Sequence, residues 1–128
     1  ALNLTQEERK EKMASFTQGL VSINSPWMRY FIATDPAPFW SQVKCPVLAL
    51  NGEKDLQVSQ EINLPAIKAA LRSGGNRKIK TVMLPGLNHL FQHSETGSPD
   101  EYVRIEETFS PAALDLVSSW IRKTVKMK

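Results

Sequence analysis

The hydrophobic pattern changes period several times along the chain, and each change marks an element. Residues 46–50 are apolar at every position and break at Asn51-Gly52. Continuous apolarity over so short a run predicts a strand buried on both faces, as in a parallel sheet between helices. Residues 78–84, with Ile79, Val82, Met83 and Leu84, predict a second strand that ends at Pro85-Gly86. Between them, Asn63-Leu64-Pro65 reads as a helix start with a polar cap and an early proline; Ile67, Ala70 and Leu71 give the buried stripe, and Gly74-Gly75 the end. A strand-helix-strand unit predicts parallel neighbours joined by a right-handed crossover.

The flanks read as helices. Residues 4–20 open with Thr5 and, three positions on, Glu8, the capping-box spacing. Their apolar side chains (Met13, Phe16, Leu20, Val21) fall only in the second half, which suits a helix that touches its neighbour in part. Ser25 as N-cap and Pro26 at the first helical position open a second helix. Its Trp27, Met28, Tyr30, Phe31 and Ile32 are apolar nearly all round, which predicts cover on more than one side. Asp35-Pro36 stops it, and a short helix over residues 36–43 is expected to carry Phe39 and Trp40 inward. Residues 85–110 form a long, largely polar loop, and such loops in compact domains are functional or mobile. Ser110-Pro111 opens a last helix with Ala113, Leu114, Val117, Trp120 and Ile121 as its core face. The expected fold class is α/β. Two strands are too few for a buried parallel sheet to stand alone, so the pattern reads as part of something larger.

Composition narrows the function classes. With 41% hydrophobic and 23% charged residues in 128, the chain has the make-up of one globular domain rather than a disordered one. No apolar run approaches the roughly 18 residues of a membrane span. The sequence starts without Met and without a cleavable signal pattern, so Ala1 reads as a processing boundary and the compartment stays open. The net charge of +3 is concentrated in Arg122, Lys123, Lys126 and Lys128, where cations suit a helix C-terminus. No aromatic-basic stripe accompanies them, which argues against nucleic acid. The single cysteine, Cys45, excludes an internal disulfide and a cysteine-based zinc cage, and its place before a strand predicts a buried structural thiol. No dinucleotide or P-loop glycine motif is present, so no nucleotide cofactor is expected.

Chemistry concentrates at two strand ends. Reactive groups in open parallel sheets gather just beyond the carboxyl ends of the strands. Asp55 follows the first strand by a few residues and His89 follows the second. Neighbouring strands lie about 4.8 Å apart, so the two side chains can meet. A carboxylate accepting the Nδ1 proton would fix the imidazole tautomer and leave Nε2 to take a proton from a hydroxyl. Taken singly, Asp55 is an ordinary loop or cap residue and His89 an ordinary loop histidine; together, in this order, they point to a proton relay. His89 and His93 are four apart but lie in a Pro/Gly/Asn loop without an adjacent carboxylate, so no metal is expected. No serine lies in G-x-S-x-G, so neither a nucleophile elbow nor an oxyanion motif is evident.

With these residues in place, the chain resembles the C-terminal part of an α/β-hydrolase, of the bacterial esterase branch akin to the dipeptidyl-peptidase and acyl-aminoacyl-peptidase hydrolases. The resemblance rests on the N-G-E-K-D block (residues 51–55) behind Cys45-Pro46-Val47-Leu48-Ala49-Leu50, and on the P-G-L-N-H-L-F-Q block (residues 85–92). Ser25-Pro26-Trp27-Met28-Arg29-Tyr30-Phe31, Asp35-Pro36, Asn63-Leu64-Pro65-Ala66-Ile67 and Ile105-Glu106-Glu107-Thr108-Phe109-Ser110-Pro111 extend it over most of residues 25–124. The family orders its triad Ser, Asp, His along the chain. The resemblance implies that Asp55 is the triad acid and His89 the base, with the serine and oxyanion loop upstream of Ala1. It implies that residues 1–24 end a cap-like region and residues 25–128 belong to the hydrolase domain. Tyr30 and Phe31 would then line an acyl pocket or pack in the core. The substrate implied for the full-length parent is a small carboxylic ester, with no cofactor, nucleic acid or membrane involved. The chain by itself, lacking the nucleophile, is expected to be inactive. The competing reading is a non-catalytic interaction module that forms a homo-dimer or larger oligomer through the exposed edge of strand 47–51 or through the apolar helix 26–32.

Overall fold

A computed structural model describes residues 5–125, apart from the side chain of Ser22. Ala1, Leu4, Lys126 and Lys128, to which expectations were attached above, lie outside the described residues. The fold is mixed α/β: α1 (Gln6–Ile23), α2 (Pro26–Ala33), α3 (Ala37–Gln42), β1 (Val47–Gly52), α4 (Gln60–Ser73), β2 (Ile79–Leu84) and α5 (Pro111–Val125), with a 3₁₀ turn at Pro99–Glu101. The chain divides into two compact units at Asp35-Pro36. No helix among the described residues is long and apolar enough to cross a membrane.

The first unit is a helical pair. Its capping box forms as the spacing predicts: the Thr5 N–H donates to Glu8 Oε2 at 2.7 Å and the Glu8 N–H to Thr5 Oγ1 at 3.3 Å. Ser25 Oγ likewise accepts the Met28 N–H at 3.3 Å. Within this unit, among the described residues, the expected cover over α2 is absent. Trp27, Tyr30, Phe31 and Ile32 are 63% to 69% exposed, because a two-helix unit has no further layer to close over them. Trp27 and Phe31, one turn apart, stack on each other at 5.4 Å instead.

In the second unit β1 and β2 pair in parallel, from Val47 opposite Ile79 to Gly52 opposite Leu84. The connecting α4 begins a turn earlier than Asn63. Both the backbone N–H and the side-chain Nδ2 of Asn63 donate back to the Ser59 carbonyl, at 3.0 and 2.8 Å, so Asn63 is interior to the helix. Pro65 is therefore inside it as well, at the loss of one i→i−4 bond. Leu64, Ala70 and Leu71 are buried, and Gly75 ends the helix in the left-handed region at φ 85°.

The main core is Leu84, Leu87 and Ala113, packed by Leu50, Val82, Phe91, Phe109 and Leu116. The inward stripe of α5 runs through Ala113, Leu116, Val117 and Trp120, while Leu114 and Ile121, expected in the core, are 54% and 43% exposed. Ala113 carries the close approach to the sheet, and Leu114 and Ile121 each lie one position, about 100°, round from that stripe. Ser110 is fully buried, but its hydroxyl has no hydrogen-bond partner among the described residues and does not cap α5. Phe39 is 59% exposed; only Trp40 turns partly inward. Cys45 is exposed rather than buried. That segment is held through its backbone, with Asn76 Nδ2 donating to the Val43 and Cys45 carbonyls at 3.0 and 2.8 Å, which leaves the thiol free to face water.

Leu71 is 0% exposed, so Leu71→Ala is expected to destabilise the second unit by about 2–5 kcal/mol. Leu114→Ser should change stability by no more than about 0.5 kcal/mol. Urea midpoints of the two variants check both; a large loss at Leu114 would place it in the core after all.

Candidate functional site

Because Gly52 pairs with Leu84, the two strands end level and their loops start side by side. They are then stitched together. The Glu53 N–H donates to the Leu84 carbonyl and the Lys54 N–H to the Leu87 carbonyl, each at 2.9 Å. In return the Gly86 N–H donates to Glu53 Oε2 at 2.8 Å. A side chain at position 52 would run into the backbone carbonyls of Leu87 and Asn88, so only glycine lets the histidine loop cross this close.

The histidine loop is built around Asn88, which is wholly buried. Its Oδ1 accepts the N–H groups of Leu90 and Gln92 at 2.9 and 3.0 Å, and its Nδ2 donates to Gln92 Oε1 at 3.1 Å. Gln92 Nε2 donates onward to the Glu107 carbonyl at 2.8 Å. Phe91 adopts a left-handed conformation (φ 57°), its carbonyl accepting the Ser110 N–H at 2.8 Å and its ring packing on Phe109 at 5.3 Å. A rigid turn thus carries His89 at its tip.

The structure brings Asp55 and His89 together. Asp55 Oδ2 and His89 Nδ1 are 2.9 Å apart, the carboxylate side chain 6% and the imidazole 35% exposed. Asp55 Oδ1 accepts the Gln57 and Val58 N–H groups at 2.9 Å each, and Oδ2 also accepts Asn51 Nδ2 at 3.0 Å. Burial is the strongest single influence on this carboxyl and opposes its charge. The bond from His89, the Val58 and Gln57 N–H groups and the field of the imidazole together outweigh burial and hold Asp55 below its ordinary 3.8. An ionised carboxylate can only accept, so a neutral His89 must carry its proton on Nδ1 and present a bare Nε2. Among the described residues nothing hydrogen-bonds that Nε2. The pair is equipped to take a proton from a hydroxyl or water and hold the resulting imidazolium.

His93 stands apart from this pair. Its Nδ1 lies 2.9 Å from Glu107 Oε2, and its N–H, donating to the same oxygen, is the main influence holding Glu107 below the usual carboxylate range. These two line an open cleft of about 800 Å³ with Ser94, Glu95, Glu101, Arg104, Ile105 and Glu106, and neither Asp55 nor His89 borders it. The 94–101 segment is clasped by Glu101, bound by the Ser94 and Thr96 hydroxyls, which push its carboxyl down to about 2. Lys54 Nζ donates to the Ser94 and Glu95 carbonyls at 2.7 and 2.9 Å, so this stretch of the long loop is tied to the acid loop. Among the described residues no group of three or more His, Cys, Asp and Glu could hold a metal ion.

Sequence reasoning missed Asn51, Asn88 and Gln92. Each read as a turn or loop residue, and only the fold shows that the first braces the acid and the other two build the histidine turn. Gly52→Ala should destabilise the chain by about 1–3 kcal/mol and displace the histidine loop, measurable by urea unfolding and by the His89 amide shift. The depressed Asp55 carboxyl contributes stability that is complete above its ordinary 3.8 and is lost as pH falls through the lower folded value. Asp55→Asn should remove that component of the acid transition; superimposable stability-pH curves would contradict it. No protein-family model, curated protein or solved structure matches the chain.

Proposed function

We propose that the chain is the C-terminal part of a serine hydrolase of the α/β-hydrolase type acting on small carboxylic esters, with His89 as general base and acid and Asp55 as its orienting partner. The observation that carries the reading is the 2.9 Å Asp55–His89 bond between loops that leave adjacent parallel strands at the same level. The motif blocks at residues 51–55 and 85–92 support the same family. The nucleophile belongs to a segment beyond these 128 residues, since no serine here sits in G-x-S-x-G.

In that scheme Nε2 of His89 takes the serine proton as the serine oxygen bonds to the ester carbonyl carbon. Asp55 stabilises the imidazolium, and the same proton then passes to the departing alkoxide. Water attacks the acyl-enzyme by the same route in reverse. A fluorophosphonate probe should label the full-length protein and leave this chain unmarked; a labelled chain would overturn the assignment. In the full-length protein Asp55→Asn should lower kcat on the order of 10⁴-fold.

A second reading is favoured by one observation. Among the described residues β1 pairs only with β2, so its other edge offers unmet backbone groups to a second copy. That reading expects a dimer in sedimentation at micromolar concentration, and a clean monomer would count against it.

A further inference from the structure

The buried carboxamide of Asn51 does something the triad scheme does not require. Asn51 is the penultimate residue of β1 and is 6% exposed. Its Nδ2 donates twice, to Asp55 Oδ2 at 3.0 Å and to the Val58 carbonyl at 3.0 Å. Both partners are acceptors, so the nitrogen, and not the oxygen, must point this way. One group therefore spans the acid loop from its root to its far end and lands on the same oxygen that His89 uses. The other two donors to Asp55 are backbone N–H groups on Oδ1, which leaves Oδ2 to the two side chains alone. The neighbouring charged residues are occupied elsewhere: Glu53 binds the Gly86 N–H and Lys54 binds the Ser94 and Glu95 carbonyls.

We propose that Asn51 is a positioning residue for the relay: by bridging Asp55 and Val58 it fixes the turn of the carboxylate so that Oδ2 faces Nδ1 of His89. The proposal rests on the hydrolase reading above for its catalytic meaning, although the bracing itself is a property of this chain. Without Asn51 only the mobile imidazole itself would aim Oδ2, the carboxylate could turn more freely about its last torsion, and a misaimed acid loses the imidazole tautomer it is there to hold. Removing the carboxamide also leaves a nearly buried anionic oxygen with one donor in place of two, and that disfavours its charge.

The test is carboxyl ¹³C NMR of Asp55 against pH, in the 128-residue chain and in Asn51→Leu. The expected result is a depressed Asp55 midpoint in the native chain that moves up towards 3.8, the ordinary value, in the variant. A depressed midpoint that Asn51→Leu leaves unmoved overturns the role of Asn51 while sparing the Asp55–His89 pair. A native midpoint at the ordinary value, with a His89 ring indifferent to Asp55, overturns the hydrolase reading itself. Should Asn51→Leu fail to fold, the native chain still decides: the Asn51 side-chain amide signals should titrate with the Asp55 midpoint, and signals flat through it overturn the proposal.

Discussion

The hydrogen bond between Asp55 and His89 depends on where two strands stop. Parallel pairing of Gly52 with Leu84 ends β1 and β2 at one level, so the loops beyond them rise together. Had the register slipped by two residues, the loops would start roughly 6–7 Å apart along the strands and the 2.9 Å bond could not close. Level exit is not sufficient, because the loops must also run in contact. Gly52 permits that contact by having no side chain to meet the Leu87 and Asn88 carbonyls.

Around this crossing the molecule spends much of its buried polarity. Asn51, Asn88 and Gln92 are all buried, and every one of them bonds within or between the two loops. A buried amide is costly unless its donors and acceptors are met, so loops organised this way have few alternative shapes. The proposed chemistry needs that rigidity: a base is useful only if its proton acceptor points where the substrate will be.

The strands, the crossover helix and the Asp55–His89 meeting were legible in the sequence, since each follows from short-range pattern plus the rule that parallel strands present their C-terminal ends together. What was not legible depends on neighbours. Asn63-Leu64-Pro65 looks like a helix start because proline favours first turns, yet Asn63 bonds back to Ser59 and the helix tolerates Pro65 inside. On α5, Ala113, Val117 and Trp120 fall on the inward face as the pattern predicts, whereas Leu114 and Ile121 lie off it and Leu116 joins it, because packing against Leu84 and Leu87, which no local pattern encodes, sets the face. Cys45 was expected to be buried from its place before a strand and α2 from its apolarity; the first is held by its backbone, and the second has no further layer within its own two-helix unit among the described residues. Asn51 carries no local signature at all, since its partners are four and seven residues away on a loop whose shape it helps to set.

The most direct measurement is the tautomer of His89 in the native chain, read by long-range ¹H–¹⁵N correlation at a pH where the ring is neutral. With the carboxylate of Asp55 on Nδ1, the proton must sit on Nδ1 and Nε2 must show the shift of an unprotonated ring nitrogen. A ring protonated at Nε2, or an even mixture of tautomers, would mean that Asp55 does not hold His89 and that no proton relay is built here.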